Sequence, residues 1–207
     1  PQIIINSIPA PELIYEKISK EDLKPYIKGL KELDEFNPDF IIMVCNTIHL
    51  YYNLLQKEIK TKILDLRKEL KLHLKKERIN SVFILGTPNT IKQGLYKFKN
   101  IKTFQPNKKE INALTKIIFD FNKGYKKEKQ IKKTKLIYNK YLKRGAETVI
   151  LGCTEFAVML DKENIPKINT IDVLVDVTIE RFINRKKINL KYEKNIKEKH
   201  KYKKILE

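Results

Sequence analysis

With 207 residues, 42 % of them hydrophobic, the chain is long enough to bury a core as one large domain or two lobes, and too apolar to be disordered. No apolar run approaches the ~20 residues of a membrane span and no leader-like segment opens the sequence, so a cytoplasmic protein is expected; two cysteines exclude a disulfide framework in a reducing compartment and a four-cysteine zinc site. The formal charge of +19 comes almost wholly from Lys spread over helical outer faces, which reads as a solvated surface. Without a base-stacking aromatic pattern, nucleic acid is not an expected partner.

The chain begins Pro-Gln-Ile-Ile-Ile-Asn, without a Met, directly in a strand-like run, and reads as if an N-terminal piece were missing. Ile3 to Ile5 predict a short strand closed by Asn6 and Ser7, which are turn formers or, at a strand edge, ligand donors. Ser19 followed by Glu21-Asp22 predicts a capped helix with its apolar stripe at Leu23, Ile27, Leu30 and Leu33. Asn37-Pro38-Asp39 breaks it, and Phe40 to Val44 predict a buried strand. A helix is expected from Leu50 to Lys60, then an extended piece at Ile63–Leu66 passing into a basic helix to Glu77. Val82 to Leu85 predict the next buried strand, ending in Gly86-Thr87-Pro88-Asn89-Thr90. A glycine followed by hydroxyls at such a turn can face an anion, and it can equally cap a helix.

The following helix is expected to carry Gly94 and Tyr96, with a short strand at Thr103-Phe104. Ile111 to Asn122 read as a helix, with Gly124 as its C-cap and Lys123 suited to the helix dipole. A basic helix from Lys126 to Lys143 leads to a strand at Thr148–Leu151. Ile165–Ile168 predict a last short strand, Val173–Ile183 a last helix, and the basic stretch beyond it a solvent-facing helix or frayed end. Alternating strands and helices argue for an α/β protein with parallel sheets.

Both cysteines occupy one kind of place. Phe40 to His49, FIIMVCNTIH, delivers Cys45 from an apolar run into Asn46 and Thr47; Thr148 to Glu155, TVILGCTE, delivers Cys153 into Thr154. In a parallel α/β sheet that place is the C-terminal end of a strand, where ligands bind. A lone buried cysteine is usually a small hydrophobe. Two cysteines sharing this setting instead suggest a two-sided site, because hydroxyl and N–H donors stabilise a thiolate. Thiols facing each other across a pocket can take a proton from one face of a carbon and return one to the other. A cysteine hydrolase would need His49 folded back onto Cys45, and a redox dithiol would need closer cysteines. Neither chemistry is favoured.

The pieces CNTIH at 45–49, ILGTPNT at 84–90 with Gly94 and Tyr96, and VILGCTE at 149–155, in this order, resemble the aspartate/glutamate racemase family, PLP-independent, and within it the aspartate branch, to which Glu155 points. The likeness runs from about Ile3 to Thr170. It implies two similar lobes with parallel sheets flanked by helices and an active site in the cleft between them. The expected division is residues 1–75, joined by 170–207, as the first lobe and 76–169 as the second. The resemblance makes Cys45 and Cys153 the paired bases, with Asn46, Thr47, Thr154 and Thr87 or Thr90 holding the substrate's carboxylates and ammonium. Lys123 matches a family lysine that meets an acidic side chain. The family's opening strand and Gly-rich loop have no counterpart here.

The expected activity is thus racemisation of aspartate or glutamate without a cofactor or metal; homodimerisation is common in such folds, and nothing in the sequence itself shows it. The alternatives are a cysteine-dependent isomerase or lyase of a small dicarboxylate, or a degenerate domain binding an anionic partner.

Overall fold

The computed structural model describes residues 2–9, 13 and 18–184. The basic stretch expected beyond the last helix falls almost wholly outside them. The centre of the molecule is a four-stranded parallel sheet in the order β2-β1-β3-β4, formed by β1 (Ser81–Gly86), β2 (Lys102–Phe104), β3 (Thr148–Gly152) and β4 (Lys167–Asn169). Every residue of β1 and β3 is buried, as continuous apolar runs demand of strands covered on both faces.

The two-residue side-chain period divides these strands between two cores. Phe83, Leu85, Val149 and Leu151 pack with Leu114, Ile118, Tyr138 and Phe156. These come from α5 (Lys108–Asn122), α6 (Lys127–Lys143) and α7 (Thr154–Met159). Val82, Ile84, Ile150 and Ile168 point the other way, onto Leu70 and Leu74 of α3 (Leu66–Lys76) and onto Ile91, Tyr96 and Val173. The result is an α/β fold with a parallel sheet flanked by helices.

The first part of the chain is built differently. α1 (Lys20–Asp34) starts at a capping box formed by Ser19 and Asp22. It packs Leu23 and Leu30 against Ile48, Tyr52 and Leu55, which lie on a 3-10 turn (Thr47–Tyr51) and α2 (Tyr52–Lys57). The expected Leu50–Lys60 helix is therefore split and starts earlier. The strand expected at Phe40–Val44 is reduced to one parallel bridge, Ile41 with Ile63, held by Ile41 N–H to the Lys62 carbonyl and Leu64 N–H to the Ile41 carbonyl, both 2.9 Å. Residues 2–9 form no strand, and Ile3 and Ile5 are exposed. Both runs have strand-like residues but no ladder on either side among the described residues, and a strand exists only through its neighbours.

A final helix, α8 (residues 170–184), lays Leu174 and Val177 against Leu64, Leu66 and Phe40. It thereby joins the first part of the chain to the sheet. No helix of the described residues is long and apolar enough to cross a membrane.

Candidate active site

The pairing of β1 with β3 places Gly86 opposite Gly152, so Thr87 and Cys153 leave the sheet side by side. β1 connects outward to β2 and β3 outward to β4, which makes the gap between β1 and β3 the switch point where an open parallel sheet opens a crevice. Gly152 is a packing requirement there. A Cβ on it would stand 3.1 Å from the Leu85 carbonyl oxygen and 3.2 Å from Tyr96 Cε2.

Cys153 is buried and donates from Sγ to Glu155 Oε2 at 2.7 Å. The same oxygen accepts from Thr154 Oγ1 at 3.1 Å, while Asn122 Nδ2 holds Oε1 at 3.0 Å. Burial first, then the Glu155 charge and hydrogen bond, push the Cys153 thiol well above its usual range, with Cys45 adding to the effect. Burial pushes the Glu155 carboxyl up, but the hydrogen bonds from Cys153, Asn122, its own backbone N–H and Thr154 outweigh it and leave the group more acidic than usual. A carboxylate thus sits on one thiol and keeps it protonated.

Cys45 is half-buried. Burial raises its thiol, against the backbone N–H groups of Ile48 and Thr47, which bond the sulfur and favour its thiolate; the Glu155 charge raises it further. Each sulfur therefore lies within electrostatic reach of the other's surroundings.

Three hydroxyls join the two regions. Thr47 Oγ1 lies 3.1 Å from Thr87 Oγ1 and 3.0 Å from Thr90 Oγ1, and Thr87 donates to Thr90 at 3.2 Å, closing a buried triangle. Thr87 also caps α4 (Pro88–Lys92), accepting the Thr90 N–H at 3.2 Å. Asn46 is buried, and its Oδ1 accepts the Tyr96 hydroxyl.

The structure thus places Thr47 against Thr87 and Thr90, Asn46 on Tyr96, Cys153 and Thr154 on Glu155, and Cys45 within electrostatic reach of Glu155 and Cys153. It does not bring in the other three expected residues. Lys123 is exposed, capping α5 by its backbone N–H to the Phe119 carbonyl at 3.1 Å; the adjacent Asn122 reaches Glu155 instead. Asn6 is committed to α1, donating to the Gly29 carbonyl at 3.1 Å and Glu32 Oε2 at 2.9 Å, and Ser7 is exposed. His49 is fully buried with Nε2 3.3 Å from the Met43 carbonyl oxygen, so the hydrogen bond it makes is to backbone and not to a thiol. Burial pulls its pKa down to about 4.

Sequence reasoning left Glu155, Asn122 and Tyr96 out of the site. Glu155 alone carried a usable signal, a carboxylate two residues after a cysteine.

The sequence profile described as Asp/Glu/Hydantoin racemase matches residues 1–178. The broad specificity amino-acid racemase RacX of Bacillus subtilis (strain 168) is 24 % identical over 196 residues, covering 88 % of this chain and 82 % of that protein. The aspartate racemase of Picrophilus torridus superposes with a TM-score of 0.62 at 25 % identity over 73 % of this chain and 65 % of its own. An aspartate racemase homologue from Pyrococcus horikoshii OT3 gives 0.61 at 24 % identity, covering 74 % and 71 %. The chain accordingly belongs to the Asp/Glu/Hydantoin racemase family, and is by class an amino-acid racemase, an isomerase.

Proposed function

We propose that the chain racemises an acidic amino acid, aspartate before glutamate, without a cofactor, using Cys45 and Cys153 as the two bases. The observation that supports this reading is the unequal pair of thiols, each in electrostatic reach of the same carboxylate. Cys153 donates to Glu155 and is the proton donor at rest, whereas Cys45 receives backbone N–H groups and is the better thiolate.

In one direction Cys45 thiolate takes the α-proton, and Cys153 delivers its proton to the opposite face of the carbanion. The protein is left with a Cys45 thiol and a Cys153 thiolate. Exchange of protons with Glu155 and solvent restores the starting state. In the other direction the chain starts from a Cys45 thiol and a Cys153 thiolate, a state reached by proton exchange with solvent, and the roles reverse. The unpaired Nδ2 of Asn46, with the Thr47, Thr87 and Thr90 hydroxyls that can open an edge to a charged ligand, suits carboxylates, and the strongly basic chain attracts anionic substrates. The reading carries with it the two-lobe division, a cytoplasmic location and a homodimer as the candidate assembly.

Proton NMR in D₂O of L-aspartate, then L-glutamate, with reduced protein and nothing else added tests it. The α-proton signal is expected to vanish as the D-enantiomer appears. A Cys45→Ala or Cys153→Ala variant that still racemises overturns the two-base assignment. Exchange of neutral amino acids alone overturns the acidic one.

A further inference from the structure

Tyr96 touches both thiol-bearing turns. The sequence places it on a helix, but α4 stops at Lys92 and Gly94 takes φ 66°, a conformation that suits glycine. That turn, closed by Leu95 N–H to the Thr90 carbonyl at 3.1 Å, drives Tyr96 inward to full burial. Its ring lies on Gly152, the residue before Cys153, where an added Cβ would sit 3.2 Å from Cε2. Its hydroxyl donates to Oδ1 of Asn46, the residue after Cys45. Among the described residues the hydroxyl has no other polar partner, so its one proton goes to the amide oxygen.

Asn46 is only 2 % exposed, and its Nδ2 is buried with no protein partner. An amide with its oxygen taken and its N–H₂ unpaired is costly to bury unless a ligand completes it. The end left over is a donor, which suits an oxyanion and not an ammonium group.

We infer that Tyr96 is a positioning residue: its hydroxyl fixes the Asn46 side chain so that the N–H₂ end is presented to an oxygen of a substrate carboxylate. The inference rests on the racemase reading and narrows it, since it separates Asn46 from any role in holding the ammonium. Phenylalanine would keep the packing on Gly152 and free the amide to turn over, exchanging donor for acceptor.

Binding of two small probes tests this without turnover. Titration calorimetry of wild-type protein is expected to show succinate binding more tightly than its neutral diamide, succinamide. Tyr96→Phe is expected to weaken succinate by about tenfold with succinamide changed less than twofold, whereas a merely structural role weakens both alike. In an Asn46→Ala background the Tyr96→Phe change is expected to have no further effect on succinate. An undiminished Tyr96 effect there overturns the inference, as does a wild-type protein that binds neither probe. Asn46→Asp, which keeps the acceptor for Tyr96 and removes the donor, gives a second route, and undiminished succinate binding by it is equally fatal. The racemase reading fails separately, by absence of α-proton exchange across a panel of amino acids.

Discussion

The two cysteines arrive by the same sequence device and rest on different supports. Cys153 leaves the end of a strand whose five residues are all buried and paired with β1, its middle three with β4 as well. Cys45 leaves a run in which Ile41 alone pairs and Val44 is 58 % exposed. Their polar surroundings differ as well. The second turn sets a carboxylate against its thiol, whereas the first offers backbone N–H groups and, four residues on, buries an uncharged imidazole. A motif therefore specifies where a thiol is presented, while the surrounding packing decides how firmly and in which protonation state.

The contrast in support shows along the two runs that lead to the cysteines. Leu151→Ala, at a fully buried strand position, is expected to cost about 3–4 kcal/mol, against under about 1 kcal/mol for Ile42→Ala, whose side chain reaches solvent. Urea unfolding followed by far-ultraviolet circular dichroism measures both, and equal losses would break the comparison.

The buried imidazole makes the first region the acid-sensitive one. His49 has a pKa of about 4 in the folded chain against an ordinary 6.5. Between those values the unfolded chain binds a proton that the folded one refuses, so stability is complete above pH 6.5 and falls as the pH drops toward 4. The loss expected is roughly 3 kcal/mol. Unfolding free energies at pH 7 and pH 4 for wild type and His49→Gln check it; an unchanged slope in the variant would move the acid sensitivity elsewhere.

The smallest effect tests the two thiols directly. Iodoacetamide is expected to modify Cys45 about tenfold faster than Cys153, since alkylation follows the thiolate and its exposure. Glu155→Gln removes the charge that raises both thiols, and Cys153 more directly, so the gap is expected to narrow. Mass spectrometry of the two peptides over time reads the ratio, and a wider gap in Glu155→Gln would contradict the assignment of Glu155.

What was legible in the sequence followed burial. The runs at Val82–Leu85 and Thr148–Leu151 are apolar on both faces and could only be central strands, so the placement of Cys153 came with them. Phe40–Val44 and Ile3–Ile5 have the same composition, yet strand formation depends on a neighbour that local composition does not encode. Gly94 was visible, but that it ends α4 and turns Tyr96 inward depends on the φ it takes. The Asn122–Glu155 and Tyr96–Asn46 bonds join residues 33 and 50 positions apart and leave no local pattern. Lys123 was drawn toward the site by resemblance, although its place after α5 and before Gly124 already accounted for it.

The triangle of Thr47, Thr87 and Thr90 has a consequence in proton counting. Three hydroxyls own three protons, and the three edges use all of them, so the closed ring has lone pairs to offer and no spare donor. A ligand oxygen can enter only by opening an edge. A neutral carbonyl that did so would exchange one neutral hydrogen bond for another and gain little. A carboxylate would replace it with a charge-assisted one, about twice as strong. Such a ring acts as a threshold set by charge: it stays shut to uncharged molecules of the same shape and yields to anions, with no formal positive charge in its own three side chains.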